Sequence, residues 1–453
     1  MPPEKNDLLT LSITGTTHEG VGIGRTPQGY VLFVPRTAPG DVCEVRVVKT
    51  LKSYGYGRLE RLLTPSADRC EPACPAFGLC GGCAYLHLTY EAECRIKEQQ
   101  VRAALQKELG ELPPVLPIVP SAKTTRYRNK VQLPVGVSKG RAVTGFYRGR
   151  SHQVVPCDDC LLQPEEAAIA ARLLCRHIDL HRIPIYDEGA HRGLVRKLFV
   201  RVGAASGQVM VVVVINGKFL PRADELVASL REMLPGLVSV QLCHNTKRTN
   251  VVLGDSFTTL WGKPYLEDAL LGTTYAISAP SFYQINHDQC EALYLEAAKF
   301  ASLTGSERLL DLYCGIGTIG LSMARQCKEL VGVEVVEQAV LDAAACAKAA
   351  GLDNARFLCA DAADAAAQLS KEGFSPDVVI LDPPRKGCEP SLLHTVADMS
   401  PSRIVYVSCN PATLARDARL LRDLGYALTQ ARPFDLFPRT AHVETVALLS
   451  RDG

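Results

Sequence analysis

Three stretches of the chain put reactive side chains at the ends of apolar runs. "RIVYVSCNP" (403–411) closes a β-branched run with Cys409, and Asn410 and Pro411 then stop any sheet ladder. "VVILDPPRKG" (378–387) closes another with Asp382, followed by two prolines and the cations Arg385 and Lys386. "LLDLYCGIGTIGLSMA" (309–324) carries Gly315, Gly317 and Gly320 in the spacing G-x-G-x-x-G, after a strand and before a helix. Such glycines let the backbone turn tightly against a nucleotide-like ligand. Glu334, at the end of the next strand in "LVGVE", suits the ribose hydroxyls.

A dinucleotide would use the helix N-terminus for its pyrophosphate. S-adenosylmethionine has no phosphate, and Asp311, just before the turn, can accept from its ammonium. A nicotinamide-dependent oxidoreductase would also leave Cys409 without a task. A thiol beside a methyl donor and a carboxylate fits covalent catalysis. The chemistry that needs it is methylation of pyrimidine C5, a carbon too weakly nucleophilic to be alkylated unaided. Thiolate addition to C6 makes C5 nucleophilic; after methyl transfer a base removes the C5 proton and elimination frees the thiol. Little of an ordinary cysteine is thiolate at neutral pH, so nearby positive charge is expected to enrich it. "FPRTAHVETVALLSR" (437–451) offers His442 and Glu444 at the start of the last strand; Glu444 is the better base and His442 an orienting group.

These side chains need a scaffold that aligns strand ends. From about 276 onward strands and helices alternate, which predicts a doubly wound parallel sheet of α/β type in which ligands sit at the carboxyl ends of the strands. Residues 124–270 read as a central α+β domain, with strands in "YRNKVQLPV", "VTGFYRG", "LVRKLFVRVG", "QVMVVVVING" and "VVLGDS" and helices at 164–178 and near 222–233. Residues 1–64 read as a small OB-like β-barrel, and 65–123 as a cysteine segment and linker helix. With 453 residues several domains are required. A net charge of +2 gives no bulk argument for nucleic acid. No run is apolar enough to span a bilayer and no signal peptide opens the chain, so a cytoplasmic protein is expected, with no membrane partner and acting as a monomer.

Seventeen cysteines in a chain without a secretion signal are not a disulfide framework. "CEPACPAFGLCGGCAYLH" (70–87) sets Cys74, Cys80 and Cys83 in C-x5-C-x2-C, and "VVPCDDCLLQP" (154–164) offers Cys157 and Cys160. Four thiolates suit either zinc or an iron–sulfur cluster. Basic groups interleaved with aromatics occur at "RYRNK" (126–130), "GFYRGR" (145–150), "VRK" (195–197) and "TKR" (246–248), a pattern that can grip single-stranded RNA.

Taken together, "DLYCGIGT", "LDPPRKG", "SCNP" and "HVETVALL" resemble the RNA uracil-C5-methyltransferases, and the resemblance runs through nearly the whole chain. It is nearest to the bacterial enzymes that make 5-methyluridine in 23S ribosomal RNA, which carry an N-terminal TRAM domain. The resemblance implies Cys409 as nucleophile and Glu444 as proton acceptor. It implies that Gln284 in "SFYQIN", Tyr313, Glu334 and Asp382 contact S-adenosyl-L-methionine, and that Asp361 in "CADA" approaches the adenine. It further implies a [4Fe-4S] cluster on Cys74, Cys80, Cys83 and Cys160, and 23S ribosomal RNA as partner. The transfer-RNA member of the family lacks barrel and cysteines, which on this reading speaks against a tRNA substrate. A non-catalytic RNA-binding assembly factor would not need Cys409 and Glu444.

Overall fold

The computed structural model describes residues 2–149 and 151–451. β1 (Leu8–Thr16), β2 (Gly22–Arg25), β3 (Val31–Val34), β4 (Val42–Thr50) and β5 (Tyr54–Thr64) close a barrel in the order β1-β2-β3-β5-β4. Alternation decides which side chains enter it. In "YGYG" Gly55 and Gly57 point inward, where a Cβ on Gly57 would stand 2.2 Å from Val45, so Tyr54 and Tyr56 point out.

Helix α1 (Tyr90–Leu109) opens on a Thr89 cap and ends at Gly110 in the left-handed conformation. Val101, Leu105 and Leu109 join the core of the C-terminal domain, and residues 115 and 119 bridge a strand of its sheet, at Ala431 and Phe434.

The central domain contains β6 (Lys130–Ser138), β7 (Arg141–Tyr147), β8 (Val154–Pro156), α2 (Glu165–Leu180), β9 (Val195–Val202), β10 (Val209–Ile215), α3 (Ala223–Met233), β11 (Leu237–His244) and β12 (Ser256–Gly262). The strands form one sheet, β12-β11-β10-β9-β6-β7-β8. "VVLGDS" is not the strand that its β-branched residues suggest. The Asn245 side chain donates to the carbonyls of Val251 and Val252 and holds them in a loop, and pairing resumes only at Ser256. A hairpin of β13 (Tyr265–Leu270) and β14 (Thr273–Ser278) straddles the expected boundary at 270/271.

The C-terminal domain then runs α4 (His287–Ala301), β15 (Arg308–Leu312), α5 (Thr318–Met323), β16 (Glu329–Glu334), α6 (Glu337–Ala349), β17 (Ala355–Cys359), α7 (Ala362–Lys371), β18 (Val378–Leu381), α8 (Pro390–Asp398), β19 (Arg403–Ser408), α9 (Pro411–Asp423), β20 (Tyr426–Phe434) and β21 (Glu444–Arg451). Its sheet order is β17-β16-β15-β18-β19-β21-β20. The first five strands in this order are parallel and mostly apolar, and the order reverses between β15 and β18, which opens a crevice at their carboxyl ends. β21 runs antiparallel to β19, so its first residue lies at the edge where β19 ends: Ser408 pairs with Thr445. Among the described residues no helix is long and apolar enough to cross a membrane.

Candidate active site and cysteine pocket

The crevice is built from strand ends. Tyr313 follows β15 with φ +66°, and Gly315 (+56°) and Gly317 (+79°) complete a left-handed turn that side chains resist. Glu334, ending β16, is fixed by three backbone donors: Gly315 N–H at 3.0 Å on Oε2, and Val335 (2.9 Å) and Val336 (3.0 Å) on Oε1. Asp311 lies behind the turn, 1% exposed. Its Oδ2 accepts from Gly320 N–H at 2.9 Å, and its Oδ1 is buried without a partner. Burial pushes its pKa up to about 8. Asp361 is the exposed cap of α7, accepting from Ala363 N–H, and its charge is felt by Tyr313.

Gln284 comes from the loop before α4, which the central sheet holds in place. Asn129 donates to Gln284 O at 2.8 Å, and Arg201 donates to Ser281 O at 2.7 Å. Asp382 follows β18, and burial raises its pKa to about 7. Cys409 follows β19. Asn410 then caps α9 and Pro411 takes its first turn, while the Asn410 amide reaches across to Arg385 O at 3.1 Å. The "SCNP" and "LDPPRKG" loops are thus tied together. Glu444, 5% exposed, is pushed well above the carboxylate range by burial and then by Asp382, with Arg385 opposing. The His442 Nε2 faces an Arg385 nitrogen at 3.3 Å; burial and that guanidinium drive its pKa down to about 4, so the ring is neutral.

The thiol itself departs from expectation. Burial, then Glu444 and Asp382, raise the Cys409 pKa to about 11, and Arg385 is the cation that pulls it down. The structure surrounds this sulfur with carboxylates, so the expected positive surroundings are reduced to one guanidinium.

A second group of thiols lies elsewhere. Cys74, Cys80, Cys83, Cys157 and Cys160 all line one cavity of about 90 Å³, with Phe77, Arg128 and Phe146 in its wall. Cys70 is outside it, donating to Leu86 O. The neighbouring Cys157, together with backbone N–H groups of Leu162 and Gln163, lowers the Cys160 pKa to about 6. Burial raises Cys83 to about 12. No set of three or more His, Cys, Asp or Glu side chains among the described residues converges on a single ion.

Several of the expected RNA-gripping cations have partners within the fold. Arg126 forms a two-pronged pair with Asp159 at 2.6 Å, and buried Arg196 donates to the carbonyls of Asn245, Lys247 and Thr249. Tyr127 is buried, Lys247 pairs with Asp255, and Arg248 donates to Gly189 O. Arg148 is exposed, and Arg150 lies outside the described residues. A platform not expected from the sequence stands on the barrel instead. Phe33, Tyr54 and Tyr56 lie 5.4–5.9 Å apart on its outer face, with exposed Lys49 in register with Tyr56 and exposed Arg25 in register with Val31. The signal was the inward glycines of "YGYG".

A sheet of this order, with a glycine turn after its first strand and acidic strand ends on either side, defines a nucleotide-binding methyltransferase fold. The family described as tRNA (Uracil-5-)-methyltransferase matches residues 190–452, and the TRAM domain matches residues 4–59. An uncharacterised RNA methyltransferase of Halalkalibacterium halodurans is 42% identical over 453 residues, covering 99% of this chain and 98% of its own. One of Clostridium tetani is 40% identical, covering 100% and 98%. Among solved structures, Pyrococcus abyssi tRNA (uracil-54, C5)-methyltransferase in complex with S-adenosyl-L-homocysteine is 27% identical, with a TM-score of 0.78 over 97% of this chain and 99% of its own. The chain therefore belongs to the S-adenosylmethionine-dependent RNA uracil-C5-methyltransferase family. A match over 97% of the chain takes in the N-terminal barrel, so the barrel does not by itself exclude tRNA as substrate, contrary to the sequence argument.

Proposed function

We propose that this protein transfers a methyl group from S-adenosyl-L-methionine to C5 of a uridine in 23S ribosomal RNA. The observation that carries the chemistry is the meeting of Cys409, Asp382 and Glu444 from three strand ends, one of them antiparallel. Cys409 is the nucleophile that adds to C6. Glu444, whose pKa burial raises well above the carboxylate range, is the acceptor of the C5 proton. Arg385 stabilises the thiolate and fixes neutral His442. Asp382, beside both, orders the uracil edge or the methyl donor.

The donor site fits the residues present. The methyl donor supplies an electrophilic methyl on a sulfonium. Gln284, Tyr313, Glu334 and Asp382 would hold it, with Glu334 already oriented by backbone N–H groups and the unpartnered Asp311 Oδ1 behind the turn as a spare acceptor. The cavity ringed by five thiols fits a sulfur-ligated group, and Cys74, Cys80, Cys83 and Cys160 would hold a [4Fe-4S] cluster. Cys160 is preferred over Cys157 because it stands in "CLLQ", the stretch that resembles the family's pattern. The cluster has no redox role in the reaction and would fasten the segment to the central domain. RNA is read by the barrel's aromatic platform, which suits stacking of unpaired bases, and the target uridine leaves its stack to reach Cys409.

The cysteine pocket supports a ribosomal substrate; the Pyrococcus abyssi neighbour supports a second reading, the same chemistry on tRNA. Incubating the protein with unmodified 23S RNA and unmodified tRNA and mapping 5-methyluridine by mass spectrometry separates them. Product in 23S RNA alone is expected; product in tRNA alone overturns the substrate, and product in neither overturns the activity.

A further inference from the structure

The stretch 435–443 between β20 and β21 delivers Glu444 to the crevice, yet most of what holds it comes from outside the C-terminal sheet. Lys97, on α1, has a side chain 0% exposed, and its ammonium donates to Glu93 Oε1 at 2.7 Å, Asp435 Oδ1 at 2.6 Å and Phe437 O at 3.2 Å. Tyr90 donates to Asp435 Oδ2 at 2.8 Å and accepts from Ser121 N–H at 2.6 Å. Arg439 stands at φ +71°. Its N–H donates to Glu93 Oε1 at 2.7 Å, its carbonyl accepts from Ala84 at 2.9 Å and Tyr85 at 3.1 Å, and its guanidinium reaches Leu88 O at 3.3 Å. Tyr127 donates to Pro438 O at 2.9 Å.

Two cations, Lys97 and Arg439, thus face two buried carboxylates, Glu93 and Asp435. Burying Glu93, Lys97 and Asp435, with Arg439 half-buried beside them, is costly in stability, and hydrophobic residues of the same volume would serve a purely structural purpose at least as well. What such a network supplies is a single geometry. A non-glycine residue in the left-handed region persists only where its surroundings over-determine it, and here five hydrogen-bonding groups on Arg439 and its neighbours are claimed from α1 and from the residues directly after Cys83.

We propose that Lys97 and Arg439 are positioning residues for Glu444: the four-charge network sets the path of the 435–443 loop so that the carboxylate meets the C5 proton, and Ala84–Tyr85 fastens the cysteine pocket to the same loop. The inference rests on the reaction proposed above. In its last step Glu444 takes the C5 proton, the C5–H electron pair forms the C5=C6 bond, and the Cys409 sulfur leaves C6 as thiolate. Addition of Cys409 and methyl transfer precede this and do not use Glu444, so a displaced base halts the enzyme at the methylated covalent adduct.

The test uses the full-length protein and the RNA that the wild type methylates. Arg439→Gln, Tyr127→Phe and the charge-compensated triple variant Lys97→Met/Glu93→Gln/Asp435→Asn are compared with wild type for kcat, for KM of RNA and donor, and for RNA–protein adduct on unfluorinated RNA. Expected are a kcat lowered by about 10- to 100-fold in Arg439→Gln and the triple variant, since a displacement of about 1 Å can cost that much. KM should stay within about twofold, adduct should accumulate, and Tyr127→Phe, which removes one donor, should show the same signature at smaller size. Equal kcat, or a fall in activity with raised KM and no adduct, overturns the inference. If the triple variant does not fold, Arg439→Gln and Tyr127→Phe decide. A wild type inactive on every RNA would instead sink the reaction itself.

Discussion

The protein has two places where thiols gather, and it treats them in opposite ways. In the crevice, burial and then Glu444 and Asp382 raise the Cys409 pKa to about 11. In the pocket, the neighbouring Cys157 and backbone N–H groups lower the Cys160 pKa to about 6. Desolvation and neighbouring like charge disfavour a charged form, and hydrogen bonds to it favour it. On the reading proposed above, Cys160 is a ligand. Cys409 is kept as a thiol until something in the crevice changes its charge, which protects a nucleophile from idle oxidation and alkylation. A cysteine's reactivity here is a property of its neighbours, not of its place at a loop.

The largest effect that tests this contrast is at position 409. Cys409→Ala should reduce methyl transfer to an undetectable level and abolish the adduct with 5-fluorouridine RNA; residual turnover within tenfold of wild type would show that the crevice thiol is not the nucleophile. Next comes the base. Glu444→Gln should lower kcat by about 10²–10⁴-fold while the thiol still adds, so denaturing gels should show RNA-linked protein on unfluorinated substrate. Absence of that band would assign the proton to another group.

On the pocket side, anaerobically purified wild type should carry iron by metal analysis, Cys160→Ser should lose most of it, and Cys157→Ser should retain more than half. Equal losses would remove the distinction between the two thiols, and stoichiometric zinc without iron would overturn the cluster.

The smallest effect concerns Asp382. Its carboxyl has a pKa near 3.8 unfolded and about 7 in the crevice. A raised carboxyl contributes stability that is fully present below the unfolded value and is lost as pH rises through the folded one, at about 1.4 kcal/mol per unit. Asp382→Asn cannot ionise. The ligand-free variant should therefore melt several degrees above wild type at pH 8, and the gap should close as pH falls towards 4. A gap independent of pH would show that burial is not what holds this group.

Much of the crevice was legible in the chain because its signals are local. Cys409 and Asp382 stand where β-branched runs meet Asn-Pro or Pro-Pro, and the glycine turn and Glu334 follow from spacing alone. The fate of single cations was less legible: a sequence shows a charge but not its partner, and Arg126 and Arg196 satisfy carboxylates and carbonyls far along the chain. The packing of α1 was hidden similarly, since its apolar stripe is visible but the sheet that it covers is not.

By itself the sequence determined the turns, caps and strand ends, since these depend on residues within a few positions of one another and on the allowed angles of glycine and proline. Tertiary structure alone decided that Glu444 would reach Cys409. That meeting needs β21 to run antiparallel beside β19, and a loop locked by a lysine more than three hundred residues earlier in the chain. Long-range pairing of this kind leaves no period in the sequence. It is fixed only when burial forces each charge to find its partner.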